Sequence, residues 1–139
     1  MKKIILAMIF LLAMLSIAIS AETTKTLTFE WNQEDVTNLK EWKLFWSNTP
    51  GGEYAEIAII AYDPGVAGPV YSSPETIKVT GEQGTHVTKC FILRACGDVP
   101  QQGGGTKYLC SPDSNEVSYT FWIPAGQFSV PLDFKINAE

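Results

Sequence analysis

From Leu27 the chain alternates, with Leu27, Phe29 and Trp31 apolar and Thr26, Thr28 and Glu30 polar. A period of two with a polar partner set predicts a strand that buries one face and wets the other. After an acidic, polar stretch at 32–38, Trp42, Leu44 and Trp46 repeat the pattern and leave Lys43 and Phe45 on the outward face. Phe45 is therefore expected as an aromatic in solvent. Residues 54–62 read as a further strand with Ile57, Ile59 and Ala61 on one parity, and 75–80 as another through Ile77 and Val79. Residues 87–96 place Phe91, Leu93 and Ala95 inside, and a last strand does the same with Val117, Tyr119 and Phe121.

The connecting segments are rich in turn formers. Asn48-Thr-Pro-Gly-Gly52 pairs a preset φ with glycines that allow the positive one, 63–74 holds three prolines and two glycines, and 81–85 turns the chain again. Residues 97–109 read as a loop with a flexible Gly103-Gly-Gly105 at its tip. Short strands separated by such turns, with no helical period after residue 20, predict an all-β, antiparallel β-sandwich.

Lys2 and Lys3, the apolar run to Ile19 and the small-x-small Ala18-Ile-Ser20 predict a secretory signal peptide over 1–20, cleaved after Ser20 or Ala21. The chain is expected to be secreted or periplasmic. Of 139 residues, 119 remain once those 20 are removed, enough for one sandwich of roughly 100 residues. Loss of Lys2 and Lys3 leaves 8 Lys plus Arg against 15 Asp plus Glu, a formal charge of −7. Nucleic acid and anionic membrane surfaces are disfavoured partners, since Lys and Arg supply most of that attraction.

Cys90-Phe-Ile-Leu-Arg-Ala-Cys96 followed by Ser114-Asn-Glu-Val-Ser-Tyr-Thr-Phe121 resembles the last two strands of a fibronectin type III domain, with Trp31 and Trp42-Lys-Leu44 where that family places its core Trp and third-strand aromatic. The resemblance covers about 26–121 and implies an immunoglobulin-like sandwich at 21–121. It is nearest to the short type III domains of secreted bacterial and phage-encoded proteins. Lys89 replaces the family's corner Tyr, residues 21–25 are short for a first strand, and a C-terminal extension runs over 122–139. Within it, Phe128, Val130, Leu132, Phe134 and Ile136 alternate with polar residues and Pro131, which predicts an extra edge strand. That strand either folds back on its own sandwich, beside residues 27–31, or is donated to another sheet edge in a strand-mediated assembly.

Three cysteines in an exported chain invite a bridge. Cys90 and Cys96 in one strand stand about 20 Å apart, whereas bridged α-carbons lie within about 7 Å. The expected pair is Cys96–Cys110, across the mouth of 97–109, with Cys90 left over; three thiols, or a bridge reshuffled to Cys90, are the alternatives.

Candidate chemistry is sparse. His86 is the one histidine, no Cys-x-x-Cys or calcium-loop run occurs, and the glycine triplet lacks a following Lys-Ser/Thr, so neither catalytic set, metal nor cofactor is expected. Binding remains. Gln101, Gln102, Tyr108 and Leu109 in the 97–109 segment, with Phe45, are the candidate contact residues, and Tyr71 and Trp122 are further aromatic candidates. The expected function is a non-enzymatic binding or adhesion module for an extracellular protein or carbohydrate. A structural subunit of a cell-surface or phage-related assembly is the alternative, and a small secreted hydrolase a remote third.

Overall fold

A computed structural model of the chain describes residues 19–126. The expected signal, but for its last two residues, and the expected tail strand at 128–136 lie outside them. Seven strands follow in order: β1 (Ser20–Asn32), β2 (Leu39–Ser47), β3 (Ala55–Ala61), β4 (Val70–Glu82), β5 (His86–Pro100), β6 (Thr106–Cys110) and β7 (Val117–Trp122). They form two antiparallel sheets, β1-β4 and β3-β2-β5-β6 with β7 also paired to β5.

The segment expected as a short first strand, 21–25, is continuous with the strand at 27–31. Thirteen alternating residues pair with β4 from Ser20↔Glu82 to Asn32↔Val70. β4 likewise begins earlier than its composition suggests. Pro74 lies inside it, opposite Thr28, and among the described residues β4 pairs with β1 alone, an edge position of the kind that tolerates a residue without an N–H.

Between the sheets, Leu44, Ile77, Val79, Phe91, Phe121 and Ile123 form the buried centre, with Phe29 set edge-on to Phe91 at 5.1 Å. At one end the packing is aromatic: the Trp42 ring lies 5.0 Å from Trp31, 4.8 Å from Tyr71 and 5.6 Å from Tyr62. Rings of this size bury the most apolar area per residue, and edge-to-face contacts add to it.

The shared parity expected for Ile57, Ile59 and Ala61 is broken by a bulge. Ala58 faces Leu44, but Glu56 and not Ile57 faces Phe45, so one residue of β3 is extra. An extra residue swaps the faces of everything beyond it. Ile57 and Ala58 therefore both reach the core, while Ile59, opposite Lys43, is exposed.

β6 and β7 share the edge of β5 that β2 leaves open, and residues 111–116 bridge them. Ser111 N–H donates to Ala95 O at 2.8 Å and Ser114 N–H to Leu93 O at 3.0 Å. In return, Ala95 N–H donates to Ser111 Oγ at 3.0 Å and Leu93 N–H to Ser114 Oγ at 2.9 Å. The two hydroxyls thus stand in for strand carbonyls and carry the ladder across an irregular stretch.

Candidate binding surface

The segment 97–109 is a β-hairpin. β5 runs on to Pro100 and pairs with β6 from Cys96↔Cys110 to Pro100↔Thr106, so only 101–105 is a turn. Gln101 N–H donates to Gly105 O at 3.0 Å and Gly104 N–H to Gln101 O at 3.1 Å. Gly103, Gly104 and Gly105 have φ of +109°, +97° and +83°, which side-chain-bearing residues rarely adopt. The glycine run, expected as mere flexibility, is what lets the chain reverse here. Gln101 donates through Nε2 to Val99 O at 3.1 Å, and Gln102 is exposed beside it in the turn.

Two features hold the base of the hairpin. Cys96 and Cys110 are bridged with α-carbons 4.1 Å apart, while Cys90 is a buried free thiol, as the expected pairing has it. Gly97 accepts the close passage of the β1–β2 connection: a Cβ there would stand 1.9 Å from Asn38 O. That connection is itself ordered by Asp35, whose carboxylate accepts from Thr37 N–H at 2.9 Å, and this bond holds the Asp35 pKa below its ordinary value.

The two faces of the hairpin differ. Tyr108, opposite Asp98, shares a face with Cys96 and Cys110; its hydroxyl donates to Glu41 and its ring lies 5.8 Å from the Lys43 ammonium. Desolvation and then the Glu41 bond push the Tyr108 hydroxyl above its ordinary pKa, so it remains a neutral donor. Lys43 also donates to Glu56 at 3.1 Å, which raises its own pKa and keeps it charged. On the other face Leu109 and Val99 line an open concavity of about 260 Å³ together with Asp35, Thr37, Asn38 and Leu39. Tyr108 is 44% exposed and Leu109 40%.

Phe45 is not a solvent-facing aromatic. It is 9% exposed, because the Arg94 guanidinium lies 4.5 Å from its ring centre and Ile92 packs opposite it in the ladder. Arg94 is fixed in turn by Asp113 at 2.5 Å. Tyr71 is also buried, in the aromatic end of the core, whereas Trp122 is half exposed and packs its ring 4.7 Å from His86. The structure therefore brings Gln101, Gln102, Tyr108 and Leu109 onto one hairpin and sets Phe45 beneath the sheet's outer polar layer. Sequence reasoning missed Glu41 and Lys43 as neighbours of Tyr108, and the β1–β2 connection as a wall beside Leu109. Outward parity of Glu41 and Lys43 on β2 was the one signal available for them.

Lys89 extends over the Trp46 ring, 4.2 Å from its centre, and donates to Asn48 Oδ1. Desolvation lowers its pKa. Across the same face Glu116 accepts from Gly51 N–H at 2.9 Å and from the Tyr54 hydroxyl.

Among the described residues no group of three or more His, Cys, Asp or Glu side chains is placed to hold a metal ion, and no helix is long and apolar enough to cross a membrane. No protein-family model matches the chain, and no curated protein and no solved structure matches it.

Proposed function

We propose that this chain is an exported, non-enzymatic binding module of fibronectin type III type, which meets an extracellular protein or carbohydrate through the β5–β6 hairpin. The observation that carries the reading is the exposure of Tyr108, Leu109 and Val99 on a hairpin held at its base by a disulfide. Interfaces favour aromatic and aliphatic anchors presented on a preformed element, since less freedom is lost when the partner docks. Gln101 and Gln102 at the turn add amide donors and acceptors suited to a peptide backbone or to sugar hydroxyls. β5 and β7, which carry the two resembling motifs, pair antiparallel, an arrangement that the fibronectin type III reading shares with other antiparallel sandwiches.

The test is capture. The 21–139 protein, immobilised, is screened against a glycan array and against cell-surface proteins of its source, with the Tyr108→Ala/Leu109→Ser double variant as the matched control. A species retained by the wild type and lost from the folded variant supports the reading. Equal retention by both places the contact elsewhere on the molecule.

A further inference from the structure

β3 is an edge strand with little to guard its open side. It pairs with β2, and its other edge has no backbone partner among the described residues. Tyr62 N–H donates to Lys40 O at 2.8 Å, which continues the register that sets Ile60 opposite Trp42 and Ala58 opposite Leu44. Bonded and non-bonded pairs alternate along an antiparallel ladder, so Ala58 and Ile60 turn their backbone groups to β2, while Ile59 and Ala61 turn theirs outward. Edge strands are commonly blunted by Lys, by Pro, by an inward charge or by a bulge. Ala55-Glu-Ile-Ala-Ile-Ile-Ala61 has neither Lys nor Pro, and its one charge, Glu56, is held by Lys43 of the neighbouring strand at 3.1 Å. The bulge lies at the Glu56 end and leaves Ala58 to Ala61 in regular register. Ile59, in the middle of that run, is 55% exposed.

This edge is complementary to itself. Antiparallel pairing about a two-fold axis through Ile59 sets Ile59 opposite Ile59, Ala58 opposite Ile60, Ile57 opposite Ala61 and Glu56 opposite Tyr62. Apolar residues then face apolar ones, and the two Glu56 carboxylates stand at opposite ends of the ladder. The two Ile59 residues exchange both of their outward backbone bonds. An axis through Ala61 would bring Asp63 against Ile59, and one through Ile57 would centre the ladder on the bulge.

We propose that β3 is a dimerisation edge, to which a second copy of this chain adds its own β3 antiparallel, with Ile59 at the two-fold axis. The joined sheet runs β6-β5-β2-β3 and then the same order reversed, about eight strands, a width that a twisted open sheet sustains. The ladder is short, which puts the interface among those that bury less than about 1,200 Å² and exchange readily with the monomer. β6 stands at the far edge of each half, so the two β5–β6 hairpins lie about 34 Å apart, seven strand spacings of about 4.8 Å. A partner with a repeated epitope is then held at two points. That consequence rests on the hairpin as the contact surface, whereas the pairing of β3 does not.

Sedimentation velocity of the 21–139 protein from micromolar to millimolar concentration tests it, with Ile59→Lys alongside and hydrogen exchange measured at both ends of the range. The expected result is a wild-type mass that climbs from monomer towards dimer, with amides in 57–61 gaining protection in step and those in 20–32 unchanged. Ile59→Lys alters an exposed position and sets two ammonium groups face to face at the axis, so its dimer Kd should rise by about tenfold or more. A wild type that stays monomeric throughout overturns the proposal, even where the variant fails to fold. A dimer that forms without added protection in 57–61, or that the folded variant forms equally well, overturns it too and places the interface on another surface.

Discussion

The Arg94 guanidinium stands over the Phe45 ring, 4.5 Å from its centre, and the same side chain binds Asp113 at 2.5 Å. A residue whose parity points to solvent is thus kept from it by a charged neighbour on the next strand. Arg94→Ala uncovers the ring and leaves Asp113 without its partner. A loss of about 1 kcal/mol is expected from the cation–aromatic contact and the aliphatic stem together. Urea unfolding checks the loss, and dye binding to newly exposed apolar surface should rise in parallel.

Gly97 has no room for a side chain, since a Cβ would stand 1.9 Å from the Asn38 carbonyl oxygen, which is backbone and cannot rotate away. Gly97→Ala should cost about 2 kcal/mol or more through displacement of the β1–β2 connection from β5. Gly104→Ala meets nothing within 4 Å and suffers only from its φ of +97°, so about 1 kcal/mol is expected there. Chemical denaturation of the two variants side by side separates a steric cost from a conformational one, and an equal or reversed order counts against this reading of the hairpin base.

Glu116 accepts from the Tyr54 hydroxyl and from Gly51 N–H, and these bonds hold its carboxyl below the ordinary value near 4.5. A carboxylate stabilised in the folded state contributes fully above its unfolded pKa, and the contribution fades as pH falls through the lower folded value. Glu116→Gln should therefore melt below the wild type at about pH 6, with the gap closing towards about pH 3. Melting curves across that range provide the check; a gap that widens on acidification contradicts the assignment.

Much of the sandwich is visible in the alternation of Leu27, Phe29 and Trp31, of Trp42 and Leu44, and of Ile77 and Val79, because each of these strands has one wet face. Reach ruled out a bridge within one strand, and the positions of Cys96 and Cys110 on either side of 97–109 favoured that pair over one to Cys90. What escaped the pattern was decided by partners distant in sequence. Gly97, Asp98, Pro100 and the glycine triplet read as loop, yet β6 gives 97–100 a ladder to join. Ile59 follows the core parity until a bulge removes it, and Phe45 follows the solvent parity until Arg94 covers it. The tail at 128–136 was read as a strand, and it lies outside the described residues. Of the proposed contact surface, Tyr108 and Leu109 were chosen by residue type, whereas their opposite orientations on the hairpin required its register.

Direct titration of the captured partner, wild type against Tyr108→Ala/Leu109→Ser, bears most closely on the hairpin as the contact surface. Loss of two desolvated anchors, each worth about 1–2 kcal/mol, predicts a Kd weakened by about thirty-fold or more. The variant should keep the wild-type disulfide and a melting temperature within a few degrees of the wild type, since both side chains are substantially exposed. An unchanged Kd in that folded, bridged variant would contradict the account.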